Sequence, residues 1–137
     1  MRKLFVDTNI VLDLLAKRMP FYTSGALLFS LADKKKLKLS VSAQTFANTN
    51  YVLSKLKTAQ EAKEILRMFR LLVEVVPLSD KIIDLSLNNT KFTDFEDSLQ
   101  YYSASESSCE IIITRNQKDF KSADLPVMNA EEFLNSM

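Results

Sequence analysis

"KLFVDTNIVLDLLAK", residues 3–17, decides how the rest of the chain is read. Lys3 to Val6 form a short apolar-leaning run that ends at an acid, Asp7. A helical pattern begins at once. Ile10, Val11, Leu14 and Leu15 recur at spacings of three and four, so a strand over 3–6 passes directly into a helix over 8–17. Asp, Thr and Asn side chains all accept hydrogen bonds from the free N–H groups of a first helical turn. Asp7, Thr8 and Asn9 stand in a row where one cap is enough. With Thr8 and Asn9 able to cap, Asp7 is free to take part in chemistry if the fold brings other acids to it.

The alternation of short apolar runs and longer helical patterns continues to the end. Strands are read in "LKLSVS" (37–42), "VEVVP" (73–77), "EIIIT" (110–114) and "LPVM" (125–128). Helices are read over 20–35, where Pro20 suits a first turn, and over 43–57, where Phe46, Asn50, Leu53 and Leu56 share a face. Thr58 with Glu61, and Thr93 with Glu96, have the spacing of capping boxes, opening helices over 58–72 and 93–107. Ser79 opens a helix to Asn88, and Asn129 caps a terminal one. Strands separated by helices make a parallel or mostly parallel sheet covered on both faces. No repeat or linker interrupts the pattern, so a single domain over 1–137 is expected. Ligands of such sheets bind beyond the carboxyl ends of the strands, where Asp7 lies.

Composition narrows the chemistry. The 137 residues are 47% hydrophobic, enough for a sizeable core, and 18 basic against 17 acidic residues leave a net charge of +1, which neither announces nor excludes a nucleic-acid partner. "DKKKLK" (33–38) reads as a solvated helix end. With no histidine, the Ser–His and Cys–His nucleophilic systems and histidine metal ligands are ruled out. With one glycine, Gly25, inside a helical pattern, a glycine-rich phosphate loop is ruled out too. The lone Cys109 cannot form an internal disulfide and reads as a small core residue in a reducing compartment. No leader pattern and no membrane-length apolar run is present, so a soluble cytoplasmic protein without membrane association is expected. Any catalysis must come from carboxylates, hydroxyls, amides, Lys or Arg.

Two further stretches carry acids that the fold can bring to Asp7. In "TDFEDSLQYYSA" (93–104), Asp94 and Asp97 are three apart and share a helix face, while Glu96 is assigned to the capping box and points elsewhere. Tyr101 and Ala104 continue the face of Asp97 and turn it toward the protein. In "IIITRNQKDF" (111–120), a buried strand ends at Thr114, and Arg115, Asn116 and Asp119 follow in a loop, where Asn116 and Asp119 serve either as turn formers or as site residues. Arg115 reads equally as a phosphate contact or a solvated side chain, and Asp13 as structural or solvent-facing. Clustered carboxylates raise one another's pKa unless something neutralises them. A hard divalent cation does so, and Mg²⁺ typically keeps several waters beside one or two carboxylates.

These stretches resemble the motifs of the PIN-domain nucleases, a family that includes the toxins of VapBC toxin–antitoxin pairs. "FVDTNIVLDLL" is similar to the family's first motif, "VSAQTFAN" to its second, "EDSLQYYSA" to its third and "IIITRNQKDF" to its fourth. The resemblance implies a three-layer α/β/α sandwich with a mostly parallel central sheet, and Mg²⁺- or Mn²⁺-dependent hydrolysis of RNA. It places the metal-holding acids at Asp7, Asp97 and Asp119, with Asp94 as a neighbour able to replace Asp97, and Thr114 and Asn116 as polar companions. It also places Asn48 where the family usually has glutamate, which removes one charge from the site. A cognate antitoxin reaching in with an arginine is implied, and so is a homodimer for which Tyr51, Leu53 and Met68 are offered as interface residues. The alternative is a weakened or inactive PIN domain that binds RNA or protein. A receiver-like phosphotransfer domain is a third reading; Arg115 stands where its lysine would follow a strand.

Overall fold

The computed structural model describes all 137 residues, 1–137. Five strands form one sheet in the order β3-β2-β1-β4-β5. They are β1 (Lys3–Val6), β2 (Lys38–Ser42), β3 (Glu74–Val76), β4 (Ile111–Ile113) and β5 (Val127–Met128). Every neighbouring pair runs parallel. Six α-helices connect them, α1 (Thr8–Leu15), α2 (Tyr22–Asp33), α3 (Ala43–Leu56), α4 (Ala59–Phe69), α5 (Asp80–Asn88) and α6 (Phe95–Glu106), and a seventh, α7 (Ala130–Asn135), follows β5.

Alternation along each strand builds a core on each face of the sheet. Leu4 and Val6 of β1 join Leu39 and Val41 of β2 and Ile111 and Ile113 of β4 in one cluster, closed by Leu28, Phe29, Phe69 and Phe133 from the helices. Phe5, between Leu4 and Val6, points the other way with Ile112 and packs under Ile82, Leu99, Tyr101 and Ala104 of α5 and α6. The result is the expected three-layer α/β/α sandwich. Leu4, Phe5, Val6, Ile112 and Ile113 are wholly buried, and each such side chain contributes about 1.5–3 kcal/mol by leaving water.

The chain runs from β1 outward through β2 to β3, then returns by α5 and α6 to place β4 on the other side of β1. A crevice opens where the direction of winding reverses, beyond the carboxyl ends of β1 and β4. Asp7 and Thr114, the residues just after these two strands, flank it. The pairing extends past the strand ends, since the Asp7 N–H donates to the Ile113 carbonyl at 2.9 Å.

Several elements depart from the sequence reading. The helix read from Pro20 starts at Tyr22, and the one read to Leu72 ends at Phe69, with a 3-10 turn over Arg70–Leu72. Thr58 and Glu61 do form both bonds of a capping box. Thr93 and Glu96 do not: Asp94 is the N-cap of α6, accepting from the Asp97 N–H at 3.0 Å. Leu53, offered as an interface residue, is wholly buried in the core, whereas Tyr51 and Met68 are exposed. Cys109 is buried as a core residue, and no helix is long and apolar enough to cross a membrane.

Asp13 and Arg115 find each other. The Asp13 side chain is 1% exposed, and Arg115 grips it with Nε at 2.6 Å and Nη2 at 3.1 Å. The guanidinium also lies 4.1 Å over the Phe21 ring, so this arginine ties the loop after β4 to α1 and to the start of α2. Removing one partner of a buried pair leaves an uncompensated charge. Arg115→Met is therefore expected to lower unfolding free energy by about 3 kcal/mol, and Asp13→Leu with Arg115→Met to recover most of it. Urea denaturation of both variants checks this; equal losses in the single and double variants contradict it.

Candidate active site

Asp7 does more capping than its neighbours. It is itself the N-cap of α1, with Oδ1 accepting from the Thr8 N–H at 2.8 Å. The expectation that Thr8 and Asn9 would cap in its place is corrected: their side chains turn to other tasks. The Thr8 hydroxyl pairs with the Thr45 hydroxyl at 2.9 Å, which fixes α1 against α3. The Asn9 amide bridges Asp7 Oδ2 at 3.3 Å and the Thr114 hydroxyl at 3.2 Å, while its oxygen accepts from the Arg115 N–H at 3.2 Å.

Two distant elements complete the hold on the Asp7 carboxylate. Thr114, wholly buried after β4, donates its hydroxyl to Oδ2 at 2.8 Å. Gln100, 6% exposed on α6, donates Nε2 to Oδ1 at 2.8 Å. Each Asp7 oxygen thus accepts two hydrogen bonds, matching the lone-pair sites of a carboxylate. Gln100 was not singled out in the sequence. Its signal was there, since it lies three residues after Asp97 and so on the same helical face.

Asp7, Asp97 and Asp119 line one cleft of about 280 Å³ beyond the sheet edge. Asn48 and Gln44, four residues apart on α3, line it too, as does the exposed Asn116. Neither Asn48 nor Asn116 makes a side-chain hydrogen bond within the protein. Of the site residues proposed from the sequence, Asp94 and Thr114 stay out of the cleft wall; Asp94 is spent on capping α6. Its place is taken by Glu96, which lines the cleft beside Asp97 instead of pointing elsewhere. Arg115 is also absent from the wall, being committed to Asp13. Thr114 lies beneath the cleft and acts on it through Asp7 and through the Asn116 N–H, which it accepts at 3.0 Å.

The electrostatics follow from this crowding. Partial burial raises the Asp97 pKa to about 6, with further upward pushes from Asp94, Asp119, Asp7 and Glu96. The donors are all oxygens, with no sulfur or imidazole, which suits a hard cation such as Mg²⁺ or Mn²⁺. No three acidic side chains are gathered closely enough to form a ready-made cage. The donor set fits an ion that keeps much of its water and takes few protein ligands directly, as Mg²⁺ does.

Residues 3–118 match the model of the PIN domain. The protein belongs to the PIN-domain family. It is 30% identical over 135 residues to ribonuclease VapC1 of Aquifex aeolicus, covering 96% of this chain and 92% of that one. Among solved structures it is similar to VapBC2 of Rickettsia felis bound to a promoter DNA fragment, with a TM-score of 0.71 at 22% identity over 93% of this chain and 98% of that one. VapC20 of Mycobacterium tuberculosis, a toxin that cleaves the sarcin–ricin loop, superimposes with a TM-score of 0.67 at 15% identity over 89% of this chain and 95% of that one.

The raised Asp97 pKa has a consequence for stability. A folded value of about 6 lies above the unfolded one, so the native state binds the proton more tightly. The charged side chain costs nothing below about pH 4, where both states are protonated; the cost grows through the interval and is complete above pH 6. In EDTA, Asp97→Asn is expected to melt higher than wild type at pH 8, with the gain shrinking as pH falls and vanishing near pH 4. Thermal melts across that range check it, and a gain independent of pH contradicts it.

Proposed function

We propose that this protein is a metal-dependent endoribonuclease of the PIN type, the toxin of a toxin–antitoxin pair acting in the cytoplasm. The observation that carries the reading is the meeting of Asp7, Asp97 and Asp119 in one oxygen-lined cleft, from three separate parts of the chain. The activities named for its relatives support it, one a ribonuclease and another a toxin that cleaves the sarcin–ricin loop.

Asp7, Asp97 and Asp119 would hold one or two Mg²⁺ or Mn²⁺ ions, with Glu96 as a further carboxylate at the same wall. Bound there, such an ion lowers the pKa of water and neutralises charge developing on the scissile phosphate. The chain's own part is positioning. Thr114, Gln100 and the Thr8 N–H fix Asp7 from three directions, and the Asn9 hydrogen bond at 3.3 Å is the loosest of the four and the one a cation would replace. Asn48 supplies an amide in place of charge, free to bond the RNA or a bound water. An acidic cleft of this kind also accepts an antitoxin arginine through charge-assisted hydrogen bonds, which would block it. Tyr51 and Met68 remain available to a homodimer.

Asp7→Asn is expected to abolish Mn²⁺-dependent cleavage of a ribosomal RNA fragment. The fold is expected to stay intact with a lowered melting temperature, because an amide nitrogen in the place of Oδ2 no longer accepts from the Asn9 amide or the Thr114 hydroxyl. Cleavage gels beside a thermal melt score both, and undiminished cleavage contradicts the assignment. Wild-type protein that binds RNA but never cuts it would favour the non-catalytic module.

Asn48→Glu tests the contribution of α3 to the cleft. A further carboxylate beside the existing ones is expected to tighten Mn²⁺ binding by about 1–2 kcal/mol and to lower the metal-free melting temperature by like-charge repulsion. Calorimetric titration decides it. Unchanged affinity would place residue 48 too far across the cleft to reach the ion.

A further inference from the structure

The cleft has an electrostatic problem that the carboxylates alone do not solve. Its wall carries four acids, Asp7, Glu96, Asp97 and Asp119, and the proposed substrate is a polyanion. Arg115, read from the sequence equally as a phosphate contact or a solvated side chain, is bound by Asp13 through two nitrogens and lies against Phe21. One cationic side chain does line the cleft, and it is Arg18.

Arg18 has the features of a group held in reserve for a ligand. Its backbone is fixed at both ends: its N–H donates to the Asp13 carbonyl at 3.0 Å, and its own carbonyl accepts from the Tyr22 N–H at 2.7 Å. Lys17, just before it, takes a φ of 52°, so the chain leaves α1 in a sharp left-handed step that delivers residue 18 to the cleft rim. Its side chain is exposed and forms no ion pair, although four carboxylates share the cleft with it. Its guanidinium is therefore not committed to any protein carboxylate. A guanidinium presents a planar fork of donors that matches phosphate oxygens two at a time.

We propose that Arg18 is the phosphate-binding residue of the cleft, gripping a backbone phosphate of the RNA so that the strand lies between the guanidinium and the carboxylate wall. Gln44 and Asn48 line the same cleft and add uncharged polar groups along the strand's path. The assignment rests on the ribonuclease reading but adds to it the group that anchors the strand, which the metal-holding acids do not supply.

Salt dependence separates a phosphate-binding side chain from one with a structural role. Deleting one cation that neutralises a phosphate lowers the slope of log K against log salt by about one unit, with little regard to base sequence. Fluorescence anisotropy with a short single-stranded oligouridylate, in EDTA to stop metal-dependent cleavage, is measured over a KCl series. Arg18→Gln is expected to weaken binding several-fold at low salt and to flatten the slope by about one; Arg18→Lys should keep the slope and lose part of the affinity. Lys35→Gln, in the basic run outside the cleft, should leave the slope as in wild type. An unchanged slope in Arg18→Gln overturns the proposal, and so does wild-type protein that binds no oligouridylate. Cleavage of RNA by the wild-type protein in Mn²⁺, scored in parallel, keeps a failure of this assignment distinct from a failure of the ribonuclease reading.

Discussion

The Asp7 carboxylate accepts hydrogen bonds from Thr8, Asn9, Gln100 and Thr114. Those donors come from the start of α1, from the middle of α6 and from the residue just after β4. Sequence separations of 93 and 107 residues are closed at a single side chain. The sheet fixes β1 beside β4, and α6 is seated on it by Leu99, Tyr101 and Ala104 packing with Phe5 and Ile112. The bond from Gln100 then ties that helix, which also carries Glu96 and Asp97, to the Asp7 carboxylate. Structure and site are therefore not separable here: the acid that caps the first helix is the one around which the cleft is assembled.

A second constraint acts behind the first. Asp13 is buried with Arg115 as its partner, and the Arg115 N–H bonds Asn9. The loop that carries Asn116 and Asp119 is thereby tied to α1 at two points. Such loops are otherwise the mobile parts of an α/β protein. A buried ion pair is costly to break and weak as a source of net stability, and here it serves to specify one position of the loop. Charge is thus divided between two jobs. Arg115 serves the scaffold, and Arg18 is left facing the cleft.

Most of the architecture was legible because the apolar pattern is strong. "KLFV", "LKLSVS" and "EIIIT" could hardly be anything but buried strands, and their alternation with helices admits few sheets. That Asp7 would lie at a crevice beyond the sheet was legible from its place at a strand end. The errors lie where one residue of register matters. Thr93 and Asp94 are both acceptable caps; the helix chose Asp94, and with that shift Glu96 came to the cleft and Asp94 left it. Helix starts are uncertain by a residue or two from local signals alone, and one residue is a rotation of about 100°. Arg18 and the Arg115–Asp13 pair were not legible, since no periodicity connects a side chain after one helix with a loop about a hundred residues away.

Manganese-induced paramagnetic broadening in an amide-correlation NMR spectrum tests the central claim most directly. If Asp7, Asp97 and Asp119 converge on a cation, substoichiometric Mn²⁺ should first erase the signals of residues 7, 8, 97 and 119, leaving those of the exposed acids Glu61, Glu64 and Glu131 until much higher concentrations. Broadening that begins at those surface acids, or spreads evenly over all carboxylates, would show that the cleft is not the cation site.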